Sequence, residues 1–372
     1  MTTRLSSRSA ALAALLLLAA AGAAPGASAT ETGWRERIRL SVALRASHDD
    51  NFLQYSDGQI ATFDAGTNPD RYSVTSIDDA LFEPSVSLRY ELDRGRRGGR
   101  TIRLRWSGDF HGTNATADDG AGSVSWREEF AHGRSVAVGA YRLPNYYLRQ
   151  LFDEDVPSGL GVSRYRRASF ALTIGSVEYR QRLATRTNGF LHYRYERRTY
   201  DQYFRERTSD THEVRIGSGW NSRGRRWDLD GTAGYRTSAA DARDGDEATG
   251  SPADDPDVSY HGPVASARTR IRLSGTGAGR LAGEIGAEYE RREYTSDRVS
   301  DTSHHGRIDR IADVTIGLRW NPPGPFSFRG FFRHGNDRAT FASANRPSTD
   351  PASYVANQIG ASVEWGATLW RR

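Results

Sequence analysis

Residues 34–46 read WRERIRLSVALRA. Trp34, Ile38, Leu40, Val42 and Leu44 fall on even positions, with Arg35, Arg37, Arg39 and Arg45 between them. Successive side chains of a strand point to opposite sides, so this stretch carries one apolar face and one guanidinium face. The apolar face needs an oily partner; the arginine face needs water or counter-charge.

The same period recurs almost to the end of the chain. Pro84, Val86, Leu88, Tyr90 and Leu92 alternate with polar residues, as do Ile102, Leu104 and Trp106, and Leu191, Tyr193 and Tyr195. Further segments are carried by Val124 and Trp126, by Val136 and Val138, by Val214 and Ile216, and by Trp227 and Leu229. Those toward the C-terminus are carried by Ala265 to Leu273, Leu281 to Tyr289, Val314 to Trp320, Phe326 to Phe332 and Ile359 to Leu369. Phe170, Leu172 and Ile174 change phase at Gly175 to Val177 and Tyr179, which predicts a bulge there. The total is about fourteen segments, each near the 9–11 residues that a tilted strand needs to cross a bilayer. No helical period of comparable length follows the N-terminal segment.

The connections alternate long and short. The long ones are expected near 47–79, 111–122, 143–164, 200–211, 238–261, 295–306 and 338–353. The short ones, such as AHGR (131–134) and NPPGP (321–325), are dense in Gly, Pro, Asn and Arg, as tight turns require. Tight turns on one side and long loops on the other are the asymmetry of an outer-membrane barrel.

Residues 1–29 read as a secretory signal peptide: Arg4 and Arg8 at the start, an apolar run over 10–24, and Ala27-Ser28-Ala29 as a cleavage site. The apolar run is shorter than the roughly 20 residues of a spanning helix. The expected organisation is therefore a signal over 1–29 and a single barrel domain over 30–372. The chain has 372 residues, no Cys, and 51 basic residues, all Arg, against 46 acids. Loss of Arg4 and Arg8 leaves 49 arginines and a net charge of +3. A balance that close, with arginines spread along the whole chain, excludes the clustered basic patch of a nucleic-acid binder. The absence of thiols excludes disulfide and thiol chemistry. The mean hydropathy of −0.67 suits a soluble protein, unless half of every strand is polar by design.

Taken with Trp34, Trp106, Trp126, Trp220, Trp227, Trp320 and Trp365 on or beside the apolar phase, many near a turn, the chain resembles a Gram-negative outer-membrane β-barrel of the porin-like kind. The resemblance covers roughly residues 34–370 and rests on architecture. SHDDNF and NYYLRQLFDED are similar in flavour to barrels found near exopolysaccharide export systems. Leu369-Trp370 resembles the aromatic end read by the barrel-assembly machinery, with Arg371-Arg372 as a departure. The expected fold is thus all-β, a transmembrane antiparallel up-and-down barrel of about 14 strands. The implied location is the outer membrane, with lipid and the assembly machinery as partners.

In such a barrel the apolar phase meets lipid, where an arginine near the midplane costs roughly 2–4 kcal/mol, and the polar phase meets the lumen. This assigns Arg37, Arg39, Arg103, Arg105, Arg194, Glu196, Arg268, Arg270, Glu284 and Glu288 to a pore lining. Arg268 and Arg270 precede the strand carrying Glu284 and Glu288, so antiparallel neighbours can pair across the wall. Either these charges brace a filled interior or they line a pore and select solutes by charge. The loop 143–164 is too aromatic for free solvation: Tyr146 and Tyr147 need burial, whereas Asp153, Glu154 and Asp155 need cations or water. One expectation is that it enters the lumen as a constriction; the other is an aromatic cap at the outer interface.

No cofactor, metal or catalytic set is expected. The nine His are scattered, the acidic loop 241–257 lacks the Gly and terminal Glu of an EF-hand, and no spaced Ser/His or paired-acid signature stands out. No plug or passenger segment precedes the barrel. The expected function is a porin-like channel for small hydrophilic solutes or saccharides. A non-conducting barrel in surface-polysaccharide export or a structural role is the alternative, and a barrel hydrolase the third.

Overall fold

The computed structural model describes residues 35–93, 95, 98–153, 163–241, 257–276, 279–297, 301, 303–341 and 353–371. The expected signal peptide, Trp34, Glu154, Asp155 and most of the acidic loop 241–257 lie outside the described residues. Fourteen strands follow one another: β1 (Arg35–Asp49), β2 (Asp79–Asp93), β3 (Gly99–His111), β4 (Asp119–Phe130), β5 (Arg134–Phe152), β6 (Tyr165–Ala184) and β7 (Thr187–Tyr200). Then come β8 (Ser209–Asn221), β9 (Trp227–Ala240), β10 (Tyr260–Thr276), β11 (Gly279–Tyr294), β12 (Ile308–Asn321), β13 (Phe326–Thr340) and β14 (Tyr354–Arg371). Each pairs antiparallel with its chain neighbours, and β1 closes on β14, so the sheet has no free edge.

Closure fixes the two faces. Ile216 is 69% exposed and Ile359 62%, and Leu104, Leu191, Leu318 and Ile316 stand on the same outer side. An apolar surface of that extent is untenable in water and is what a bilayer requires. Trp220, Trp227, Trp320 and Phe326 sit on this face beside the short turns, and Trp320 stacks on Phe328 at 5.4 Å between ring centroids. At the other rim, Tyr193 and Tyr235 stack on His212 and His261 and hydrogen-bond to their Nδ1 atoms at 2.8 and 2.7 Å. Two polar-aromatic girdles enclose an apolar band, the arrangement of an outer-membrane barrel. The chain is therefore an integral protein of the Gram-negative outer membrane. Its tight turns lie on the periplasmic side and its long connections on the cell surface.

Two expectations are corrected. Residues 143–152 are not loop, because β5 runs on to Phe152, with register shifts between Leu143 and Tyr146 and between Tyr147 and Arg149. Nor does Gly175 mark a bulge: β6 stays in register with both neighbours across it. The phase change arises because Phe170 and Leu172 face the lumen, whereas Val177 and Tyr179 face lipid.

Candidate functional site

The lumen is where the barrel can act, and its charges come first. Arg37, Arg39, Arg103, Arg105, Arg194, Glu196, Arg268, Arg270, Glu284 and Glu288 all occupy the strand phase opposite the lipid-facing residues. The structure brings several together. Glu284, 3% exposed, lies within 3.6 Å of four guanidinium groups: Arg268, Arg270, Arg319 and Arg329. Arg194 and Arg198 flank Glu196 at 2.6 and 2.8 Å, and Arg39 reaches Glu91 at 3.4 Å. Higher in the wall Arg236 bridges Glu213 and Glu290, the latter at 2.6 Å. Among the described residues, Arg103 reaches the Ser87 hydroxyl at 3.5 Å. Interior packing is tight where these groups allow no more: a Cβ on Gly360 would stand 2.6 Å from both the Phe331 ring and Ser47 Cβ, and Arg45 lies over that ring at 4.2 Å.

A second element packs at the cell-surface end of the wall. The connection 50–78 carries a short helix, α1 (Asp57–Asp64), and sends Gln54, Gln59 and Arg71 to the vestibule described below. Its start is a capping box: Ser56 Oγ accepts from the Gln59 backbone N–H at 3.3 Å, and Gln59 Oε1 accepts from the Ser56 N–H at 3.0 Å. Leu53, Tyr55, Val74 and Ile77 are buried against Ala117 and Tyr147. Burying four such side chains contributes about 1.5–3 kcal/mol each toward holding the connection in place, and its hydrogen bonds add to that. Hydrogen bonds set its register. Asn51 Nδ2 donates to the carbonyls of Tyr55 and Val355 at 2.7 and 2.9 Å, and Arg149 donates to the Leu53 carbonyl at 3.0 Å beneath the Tyr55 ring. Ser73 shares a hydrogen bond with the Tyr147 hydroxyl. Burial drives the Tyr55 phenol pKa up, so it stays neutral.

Asn114 ties this connection to the one after β3. Its Oδ1 accepts from the Thr75 backbone at 2.8 Å, and its Nδ2 donates to Ser76 O and Asp79 Oδ2 at 3.2 and 2.8 Å. Asn114→Ala removes these bonds and a fourth from the Thr75 hydroxyl, at about 1 kcal/mol each. The expected result is faster amide exchange over residues 72–78 with the strands unchanged, read by hydrogen–deuterium exchange.

The aromatic pair singled out in the sequence has a different part from the one expected. Tyr147, 3% exposed, is the wall against which connection 50–78 packs, and Tyr146 lines the cavity beside Phe170, its ring centroid 5.1 Å away. Asp153, also buried, pairs with Arg166 at 3.4 Å. Connection 50–78, which periodicity had passed over, supplies Gln54, Gln59 and Arg71 to one interior cavity and Asn51, Phe52 and Gln54 to another. The signal available was Ser56-Asp57-Gly58-Gln59, a capping-box spacing.

Four cavities lie along the interior, and each shares at least one lining residue with another. A vestibule of about 600 Å³ opens on the cell-surface side. It presents Arg71, Arg149, Arg198, Arg207, Arg292 and Arg307, five tyrosines including Tyr200, Tyr260 and Tyr294, and the carboxylates of Asp309 and Asp337. Through Gln54 and Tyr354 it meets a neck of about 30 Å³ lined by Asn51, Phe52, Asp313 and Arg333. Asp313 and Arg333 also line a mid-lumen cavity of about 320 Å³ beside Glu284 and Glu288. Arg268 joins that cavity to one of about 300 Å³ at the periplasmic end, with Asp228, Asp230 and Arg270. The neck holds about one water. Gln54, beside it, adopts a left-handed backbone (φ 56°) that non-glycine residues rarely take, a sign that the loop's path is imposed by its anchors.

Connection 295–307 edges the vestibule with His304, whose Nδ1 lies 2.9 Å from Asp301 Oδ1. Burial lowers the His304 pKa by more than Asp301 raises it, and Arg207 and Arg307 act with burial. Burial would raise the Asp301 pKa, but the His304 hydrogen bond and charge and the Asp257 backbone bring it below the usual carboxylate value. Both groups take up more protons unfolded than folded, so this anchor is full above about pH 6.5 and weakens as pH falls. Protection factors of the amides at residues 303–307, corrected for intrinsic exchange, are expected to fall between pH 7.5 and 5, and His304→Asn to remove most of that dependence above pH 5.

No protein-family model matches the chain, and no curated protein matches it. Among solved structures it is similar to a bacterial polysaccharide outer membrane secretin (9% identity, 87% of this chain and 97% of that one, TM-score 0.44). It is likewise similar to an anion-selective porin from Comamonas acidovorans (10% identity, 89% and 99%, TM-score 0.43). A third is the outer membrane channel DcaP of Acinetobacter baumannii (9% identity, 89% and 97%, TM-score 0.44). These are likenesses of barrel build alone; the barrel itself is established by the strand pairing.

Proposed function

We propose that this outer-membrane barrel is a passive channel for small hydrophilic solutes, saccharides among them, with an Arg/Glu-lined lumen narrowed by connection 50–78. The observation that carries the reading is the set of cavities distributed from vestibule to periplasmic end, neighbours among them sharing lining residues. A barrel braced shut by side chains has no need of such a set. The charge pattern supports a preference for anions. Six arginines line the vestibule against two carboxylates, and among the described residues Arg71 and Arg149 have no ion-pair partner. Arg149 lies above the neck, where low-dielectric walls focus its field.

Purified protein in a planar bilayer is expected to carry discrete currents, with a reversal potential in a KCl gradient on the chloride side. Arg149→Gln is expected to move that potential toward zero. A folded protein, identified by its heat-modifiable mobility, that carries no current removes the channel reading.

A second reading has one observation in its favour. A neck that holds about one water passes no saccharide unless connection 50–78 moves. On this reading the barrel is non-conducting at rest and serves surface-polymer export or a structural role.

A further inference from the structure

Three arginines stand where the lipid-facing wall has no reason to hold them. Arg291 of β11 pairs in register with Arg310 of β12, which pairs with Arg338 of β13. All three share the outer phase of their strands with Tyr289, Val314 and Phe332, which face lipid. Arg291 reaches Glu293 at 3.1 Å. Among the described residues Arg310 and Arg338, both exposed, have no ion-pair partner.

Their height is set by the strand. Trp320 marks the periplasmic edge of the apolar band on β12, and Arg310 lies ten residues above it. At about 3.3 Å per residue and a tilt near 40°, that is about 25 Å, the full height of an outer-membrane barrel's apolar band. The arginines therefore sit at the headgroup level of the outer leaflet. Directly opposed residues have Cβ atoms about 5 Å apart, so Arg310 and Arg338, beside an Arg291 that already holds Glu293, oppose one another unless a further anion lies among them. Guanidinium forks suit phosphate oxygens in particular.

We infer that Arg291, Arg310 and Arg338 form an outward-facing site for the phosphate of an anionic glycolipid in the outer leaflet. The site is independent of the lumen and of whether the barrel conducts. It would fix the rotational setting of the wall at β11–β13 against one lipid.

The test is native mass spectrometry of the full-length protein in detergent, titrated with diphosphorylated lipid A or with the same lipid stripped of phosphate. The phosphorylated lipid is expected to bind at least about tenfold more tightly. The variant R310Q/R338Q is expected to lose that preference, and R310K/R338K to keep part of it. Equal binding of the two lipids by the unaltered protein overturns the inference without any variant. So does a preference that survives in R310Q/R338Q. Complete displacement of the lipid by millimolar inorganic phosphate overturns the assignment to a lipid headgroup.

Discussion

Replacing residues 52–76 by a short Gly/Ser linker is expected to raise single-channel conductance severalfold. These residues supply Phe52 and Gln54 to the neck and Arg71 and Gln59 to the vestibule floor. Their removal joins two cavities of about 600 and 320 Å³ now linked through one of about 30 Å³. The wall is untouched, because its strands are held by their own ladder hydrogen bonds. The variant loses the cluster around Tyr55 and uncovers Tyr147 and Ala117, so a modest loss of stability accompanies the gain in current. Unchanged conductance would mean that ions bypass the neck.

The second large effect belongs to Glu284. One carboxylate sits among four guanidinium groups, and Gln at that position keeps the shape while removing the charge. Breaking a buried ion-paired group costs about 3–5 kcal/mol, and the lower end applies here because the arginines keep contact with water. Arg268 is 54% exposed and Arg270 42%. Glu284→Gln is expected to lower the urea midpoint of unfolding and to shift the channel further toward anions. The two readouts separate the roles: a stability loss with unchanged selectivity makes Glu284 a brace alone.

Much of the fold was legible in the chain because a barrel writes its architecture into local pattern. Each strand carries its own lipid-facing period, and each turn its own Gly, Pro and Asn, so WRERIRLSVALRA already implied β1 with Arg37 and Arg39 inward. The cost of an arginine in lipid put ten charged residues on the phase away from the apolar one, and the strand register keeps them there. The misreadings have a common cause. In β6, Phe170 and Leu172 are apolar because they line the vestibule, and alternation alone cannot distinguish an oily lumen position from a phase slip. Tyr146 and Tyr147 look like loop residues because neither meets lipid: Tyr146 lines the vestibule and Tyr147 packs against connection 50–78. Connection 50–78 carries no period, and only its tertiary anchors, Asn51 to Val355 and Ser73 to Tyr147, turn it inward. The Arg291–Arg310–Arg338 row spans three strands and exists only once register is known.

The central claim is that solutes pass through the neck between vestibule and mid-lumen. The chain contains no cysteine, so a single one introduced there is uniquely addressable. Ala356 lines the neck on β14, beside Asn51 and Phe52. In Ala356→Cys, a bulky methanethiosulfonate reagent is expected to abolish most of the single-channel current, while the parent protein is unaffected. Full labelling, confirmed by mass, with the current unchanged would contradict the account.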